Sequence, residues 1–293
     1  MKLHFVRWNQ TASLGQGPMP HHSQSSGSPK IVFLHGMGGT GSLWRPIGAH
    51  LESKMDVLAL DQRGHGKSQV SAHSGSRIET HYTPLDYGRD IIETLEDLEF
   101  YPTWIVGHSM GVRSAMACAH LKPEWVKGLI LVDLGFSGVA GGGLGENLAR
   151  FIRVLPREFS SRDEARSFME QHCPDPSMAQ YLMAVSVREP ETGRIHFPFD
   201  HAALIQTIYA ARDVSIRHWV REVGQKNIPI LILRGANSLV WTHEEFLKEQ
   251  STFSDLPSVQ FIEFENAGHG LPFEQRQRFI QLIEETVLQK AHV

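Results

Sequence analysis

Cysteine is scarce in this chain. Two occur in 293 residues, Cys118 and Cys173. They have neither metal-ligand nor framework spacing, so both read as reduced, which favours a cytoplasmic protein. Long apolar runs are missing too. Nothing approaches the roughly 20 residues of a membrane span. The start, Met1 to Trp8, alternates like a strand instead of running apolar like a secretory leader. Clustered charge is absent. Lys and Arg total 28 against 32 Asp and Glu, a net charge of −4 with 17 histidines neutral. No basic tract offers itself to nucleic acid and no acidic tail implies disorder. There is no internal repeat.

What is there suits a folded enzyme-sized domain. The hydrophobic fraction is 41%, ordinary for a real core, and the length fits one large α/β domain with an insertion, or two domains. Strand character occurs at residues 3–8, 31–34, 55–60, 126–132, 230–233 and 259–264. The continuous apolar runs among them suit strands covered on both faces. Residues 84–99 read as a helix capped by Thr83, with Pro84 in its first turn. The chain closes in an amphipathic helix carrying Phe279, Leu282, Ile283 and Val287. Strands alternating with helices predict an α/β fold, a mostly parallel sheet flanked by helices. Residues 9–29 read as a loop, and their paired histidines, His21 and His22, as solvated surface. Residues 136–145 are glycine-rich, like a hinge. From there to Val223 the pattern is helical, strand-poor and studded with aromatics. The expected division is a core of residues 1–135 and 224–293 with a helical cap, 136–223, over the strands' C-terminal ends.

The chemistry centres on Gly107-His108-Ser109-Met110-Gly111. An apolar run, 103–106, precedes it and a helical run, 112–120, follows. Strand, G-x-S-x-G, helix is the context of a nucleophile elbow. A serine needs a base to take its proton and a carboxylate to orient that base. His269, in the loop Gly268-His269-Gly270 after the last strand, is the best base. A tetrahedral intermediate also needs oxyanion donors. The backbone N–H of Met110, next after the nucleophile, is one. Met37, in His35-Gly36-Met37-Gly38-Gly39-Thr40-Gly41, is the candidate for the second. That glycine run has neither a P-loop's Lys-Ser/Thr end nor dinucleotide spacing, which removes phosphate binding as its purpose.

Taken together, these residues resemble the α/β-hydrolases with a cap domain. The matches are His35-Gly36 after what the family counts as its third strand, Asp61 through Ser68 after its fourth, the elbow, and Gly268-His269. They span nearly the whole chain in the family's order. The resemblance implies that the Asp61–Ser68 loop shapes the site, so Arg63 and His65 are structural. It also exposes a departure. The family's acid usually follows the strand returning from the cap, yet Arg234 to Trp241 contains no carboxylate. Ser238 and Leu239 stand where aspartate is common. Three explanations compete: Asp133, at the end of the preceding core strand, as in certain relatives; Glu244 or Glu245, in a helix that Thr242 would cap; or no acid at all.

A serine nucleophile argues against the epoxide hydrolases and dehalogenases of the family, which resemble one another in using aspartate there. The expectation is a serine carboxylesterase for small to medium acyl groups. Met37, Met110, Trp241 and the cap aromatics would line an apolar pocket, with Gly36 and Trp241 touching substrate. The segment His196 to Asp200 resembles part of certain short-chain esterases and thioesterases. The partner expected is a small-molecule ester, with no cofactor, no metal and no nucleic acid. Thioesterase, lactonase, C–C bond hydrolase and cofactor-free haloperoxidase chemistries share this arrangement. A hydrolase-like binding or signalling protein is the reading from another class, supported by the missing usual acid.

Overall fold

The structure, a computed structural model, describes residues 1–8, 27–69, 82–138 and 144–289. His21 and His22 lie outside these residues, as do positions 139–143 of the glycine-rich stretch.

In chain order the first half contains β1 (Phe5–Trp8), β2 (Lys30–Leu34), α1 (Arg45–Leu51), β3 (Asp56–Leu60), α2 (Pro84–Asp97), β4 (Thr103–His108), α3 (Met110–Leu121) and β5 (Val126–Val132). The inserted segment follows: α4 (Leu144–Val154), β6 (Glu158–Phe159), α5 (Arg162–His172), α6 (Pro176–Val185), β7 (Val187–Arg188), β8 (Ile195–His196) and α7 (His201–Ala211). The chain then runs through α8 (Arg217–Gln225), β9 (Ile230–Gly235), α9 (His243–Thr252), β10 (Val259–Phe264), α10 (Leu271–Glu274) and α11 (Arg276–Gln289).

Seven strands form the main sheet in the order β1-β3-β2-β4-β5-β9-β10. Only β1 pairs antiparallel, and the other pairings are parallel. Alternate side chains of each strand leave on opposite faces. Val32, Leu34, Ile105 and Leu131 pack under α2, α3 and α8, while Ile31, Phe33, Val106 and Ile130 pack under α1 and α11. Both faces are therefore dry, which explains the unbroken apolar strands. Helix α2 starts where Thr83 and Asp86 form a reciprocal capping box ahead of Pro84. His35 follows the second described strand and Asp61 the third, each one place earlier than the family count.

The inserted segment has its own apolar cluster, in which Phe151, Phe159, Met169, Leu182, Phe197 and Phe199 pack together. It also holds a small antiparallel sheet, β6-β8-β7, in a stretch expected to be strand-poor. Each of those strands is two residues long, too short for alternation to register in sequence. The segment docks on the Asp61–Ser68 loop: Gly66 N–H donates to the Pro198 carbonyl (2.6 Å) and Asp200 N–H to that of Gly64 (2.9 Å). Helix α8 does not go with it. Trp219, Val220 and Val223 belong to the core beneath the sheet.

Candidate active site

Ser109 sits between β4 and α3 with φ 53° and ψ −120°. Few non-glycine residues accept a positive φ, so the conformation is held by its surroundings. Ser109 N–H donates to the Val132 carbonyl at 2.9 Å. Both flanking glycines are required by close approach. A Cβ on Gly107 would stand 2.3 Å from the Gly111 carbonyl oxygen, and one on Gly111 2.6 Å from that of Leu34.

The imidazole of His269 lies between Ser109 and Asp133. Its Nε2 is 3.0 Å from Ser109 Oγ, and its Nδ1 donates to Asp133 Oδ2 at 2.7 Å. Asp133 is fully buried at the end of β5. Its Oδ1 accepts from Gly235 N–H at 2.9 Å, and Oδ2 also accepts from the Ser238 hydroxyl at 2.5 Å. So β5 and β9, neighbours in the sheet, together fix the carboxylate. The alternatives stay away from it. Glu245 is the reciprocal partner of Thr242 in the capping box of α9, and Glu244 is exposed beside it.

Buried neutral histidines fix the loops around this relay. His65 Nε2 accepts from Gly38 N–H at 3.0 Å while its Nδ1 donates to the Arg63 carbonyl at 2.9 Å. His35 Nε2 accepts from Gln62 N–H at 2.9 Å and its Nδ1 donates to the Gly36 carbonyl at 2.8 Å. Each arrangement needs one ring nitrogen unprotonated. Burial agrees, pushing the His35 pKa down to about 4 and that of His65 to about 3. His108, inside the elbow, donates from Nε2 to the His269 carbonyl at 2.7 Å. Burial first, and the neighbouring His269 second, push its pKa down to about 3. Arg63 forms a bidentate pair with buried Asp90 at 2.6 and 2.8 Å. Arg63 and His65 thus sit in structural places, as expected.

Two cavities open beside Ser109, and Met37, Met178 and His269 line both. The deep cavity, about 130 Å³, is walled by mostly buried side chains including Tyr82, Met110, Leu148, Ile208 and Ala211. The outer cavity, about 400 Å³, is walled by Gly36, Leu43, Tyr181, Phe273 and Glu274 among others. Met110 is the first residue of α3, so its N–H has no intrahelical partner. Met37 lies in the turn closed by Gly39 N–H to the Gly36 carbonyl at 3.1 Å. Trp241 lines neither cavity. It is buried against Phe136 and Phe246, and its neighbour Val240 reaches the deep cavity instead. The phenylalanines of residues 151–199 likewise fill their own apolar cluster, and none of them lines the deep cavity.

The sequence pattern described as "Alpha/beta hydrolase family" matches residues 31–282. The chain belongs to that family. The α/β-hydrolase is 25% identical to 2-(acetamidomethylene)succinate hydrolase of Mesorhizobium japonicum over 87% of each chain. It is 25% identical to the sn-1-specific diacylglycerol lipase ABHD11 of Mus musculus, over 87% of this chain and 80% of that one. Among solved structures, a marine microorganism esterase superposes with a TM-score of 0.73 at 20% identity, covering 97% of this chain and 98% of that one. The protein is therefore a hydrolase. Among its described residues, no helix is long and apolar enough to cross a membrane.

Three members of the site were not legible in the α/β-hydrolase sequence. Ser238 drew notice only as an occupant of the usual acid position, not as a donor to Asp133. The His108 contact to the His269 carbonyl spans 161 positions and has no local signal. Glu274 accepts from Gly268 N–H at 2.6 Å, and its place five residues after a loop histidine was the only clue.

Proposed function

We propose that this hydrolase is a serine carboxylesterase acting on esters of small to medium acyl groups. Ser109 attacks the ester carbonyl, His269 takes its proton, and Asp133 holds the imidazole and balances its charge. The N–H groups of Met37 and Met110 receive the oxyanion. The acyl-enzyme is then cleaved by water that His269 activates. The observation that carries this reading is the continuous relay from Asp133 through His269 to Ser109, at 2.7 and 3.0 Å. A carboxylate standing behind His269 supports turnover over the binding-protein reading. The names of two similar proteins, an esterase and a diacylglycerol lipase, agree with ester cleavage. The two free thiols, Cys118 and Cys173, suit a reducing compartment such as the cytoplasm.

A panel of p-nitrophenyl esters from acetate to palmitate tests the proposal. Turnover should peak at short or medium chains, and Ser109→Ala should abolish it together with labelling by a fluorophosphonate probe. A folded protein that neither turns over any ester nor takes the label is a binder, not an esterase.

A further inference from the structure

An ester has two ends, and two cavities meet at Ser109. The chemistry of the step decides which end goes where. As the bond from Ser109 Oγ to the acyl carbon forms, the bond from that carbon to the alcohol oxygen breaks. The Ser109 proton passes to His269 Nε2 and then to the departing oxygen, so neither electrons nor protons are left over. The departing oxygen must therefore lie against the imidazole. The outer cavity is built on the segment that starts there: His269, Gly270, Phe273 and Glu274 all line it. The deep cavity also reaches His269, but most of its wall comes from α2, α3 and the insertion, and none of it from residues 270–274.

The walls differ in charge as well as in position. In the deep cavity several of the polar side chains are already engaged. Arg113 donates to the carbonyls of Val214 (2.6 Å) and Ser137, while its Nε is buried without a hydrogen-bond partner. Asp175 caps α6, and the Tyr87 and Thr207 hydroxyls bond each other at 2.7 Å. Most of the rest of the wall, Met37, Met110, Leu148, Ile208 and Val240 among it, is apolar. In the outer cavity Glu274 brings a carboxylate to a water-accessible wall, and none of the described lining residues is a lysine or arginine. His108 stays neutral there.

Building on the serine-esterase reading, we propose that the deep cavity takes an apolar acyl group and that Glu274 makes the outer cavity select a leaving alcohol that carries positive charge. The substrate class is then an ester of an apolar acid with a cationic alcohol, and anionic alcohols are rejected.

The test uses butyryl esters of one acyl group and varied alcohols: choline (cationic), n-butanol (neutral) and glycolate (anionic). For the intact enzyme, kcat/KM should favour choline over glycolate by about fivefold to tenfold or more, the size of effect one nearby carboxylate supplies in a wet cavity. Added salt should shrink that preference. Glu274→Gln keeps an acceptor for Gly268 N–H but loses the charge. It should reduce the choline-to-glycolate ratio at least threefold and leave the acyl-length profile alone. Ile208→Ala and Leu148→Ala, which enlarge the deep cavity, should move the acyl optimum to longer chains without changing the alcohol preference. The proposal is overturned if Glu274→Gln leaves the ratio unchanged, or if the deep-cavity variants alter alcohol choice instead of acyl length. Failure of the esterase reading looks different: Ser109 would then not take the fluorophosphonate label.

Discussion

At Asp133 the backbone turns left-handed, φ 56°, and the carboxylate beyond it is buried with three donors around it. A buried carboxylate is costly unless its oxygens are satisfied, and here Gly235, Ser238 and His269 satisfy them. Asp133→Asn should therefore lower kcat/KM by about 10³-fold to 10⁴-fold, because the amide favours the wrong imidazole tautomer. Glu244→Gln and Glu245→Gln should leave it unchanged. If Asp133→Asn keeps full activity, the carboxylate has no part in the chemistry. Ser238→Ala removes one charge-assisted bond, worth about 1.5–3 kcal/mol. It should cost roughly tenfold or more in kcat/KM and shift the pH–rate profile, which a purely structural role would not do. Ser109 and His269 were legible because local glycine patterns mark them. Asp133 was legible only as one of three options, since its partners lie about a hundred residues away.

The elbow shows how much one element can demand. Strand β4 and helix α3 approach so closely that Gly107 and Gly111 have no room for a Cβ. Gly111→Ala would press a methyl group onto the Leu34 carbonyl, which is backbone and cannot rotate away. The expected loss is at least about 1–3 kcal/mol, read as a lowered Tm. A Tm equal to the parent's would show that the two elements have slack. The same scale explains why Trp241 was misplaced. An aromatic near a loop after a core strand reads as a substrate contact, but here the loop turns its ring inward against Phe136 and Phe246. Helix α8 was assigned to the cap on sequence order alone. Its apolar stripe packs beneath the sheet against α3, and only the three-dimensional path of the chain reveals that.

Among the described residues, three buried histidines work as neutral hydrogen-bond partners, and this sets an acid limit. Their folded pKa values, about 4 for His35 and about 3 for His65 and His108, lie below the unfolded value of about 6.5. Between those values the unfolded chain binds more protons than the folded one, so stability falls as pH drops through that window. Above pH 6.5 these groups contribute no slope. Denaturant midpoints measured at pH 7.5, 5.5 and 4.5 should decline in that order. A midpoint that holds steady to pH 4.5 would mean that these rings are not neutral and buried.

The amino-acid sequence by itself determined the fold class, and it marked Ser109, His269 and the glycine loop as the residues to place beside one another. These depend on short-range rules: apolar runs for covered strands, and glycines where backbone must pass close. Only the tertiary structure brought β5 beside β9, and that adjacency lets Ser238 and Gly235 hold the Asp133 carboxylate that meets His269. It likewise separated the aromatics that fill the insertion's core from the aliphatic residues that face Ser109. Both outcomes depend on which distant segments become neighbours, and pairing across a hundred residues leaves no periodicity for a sequence to show.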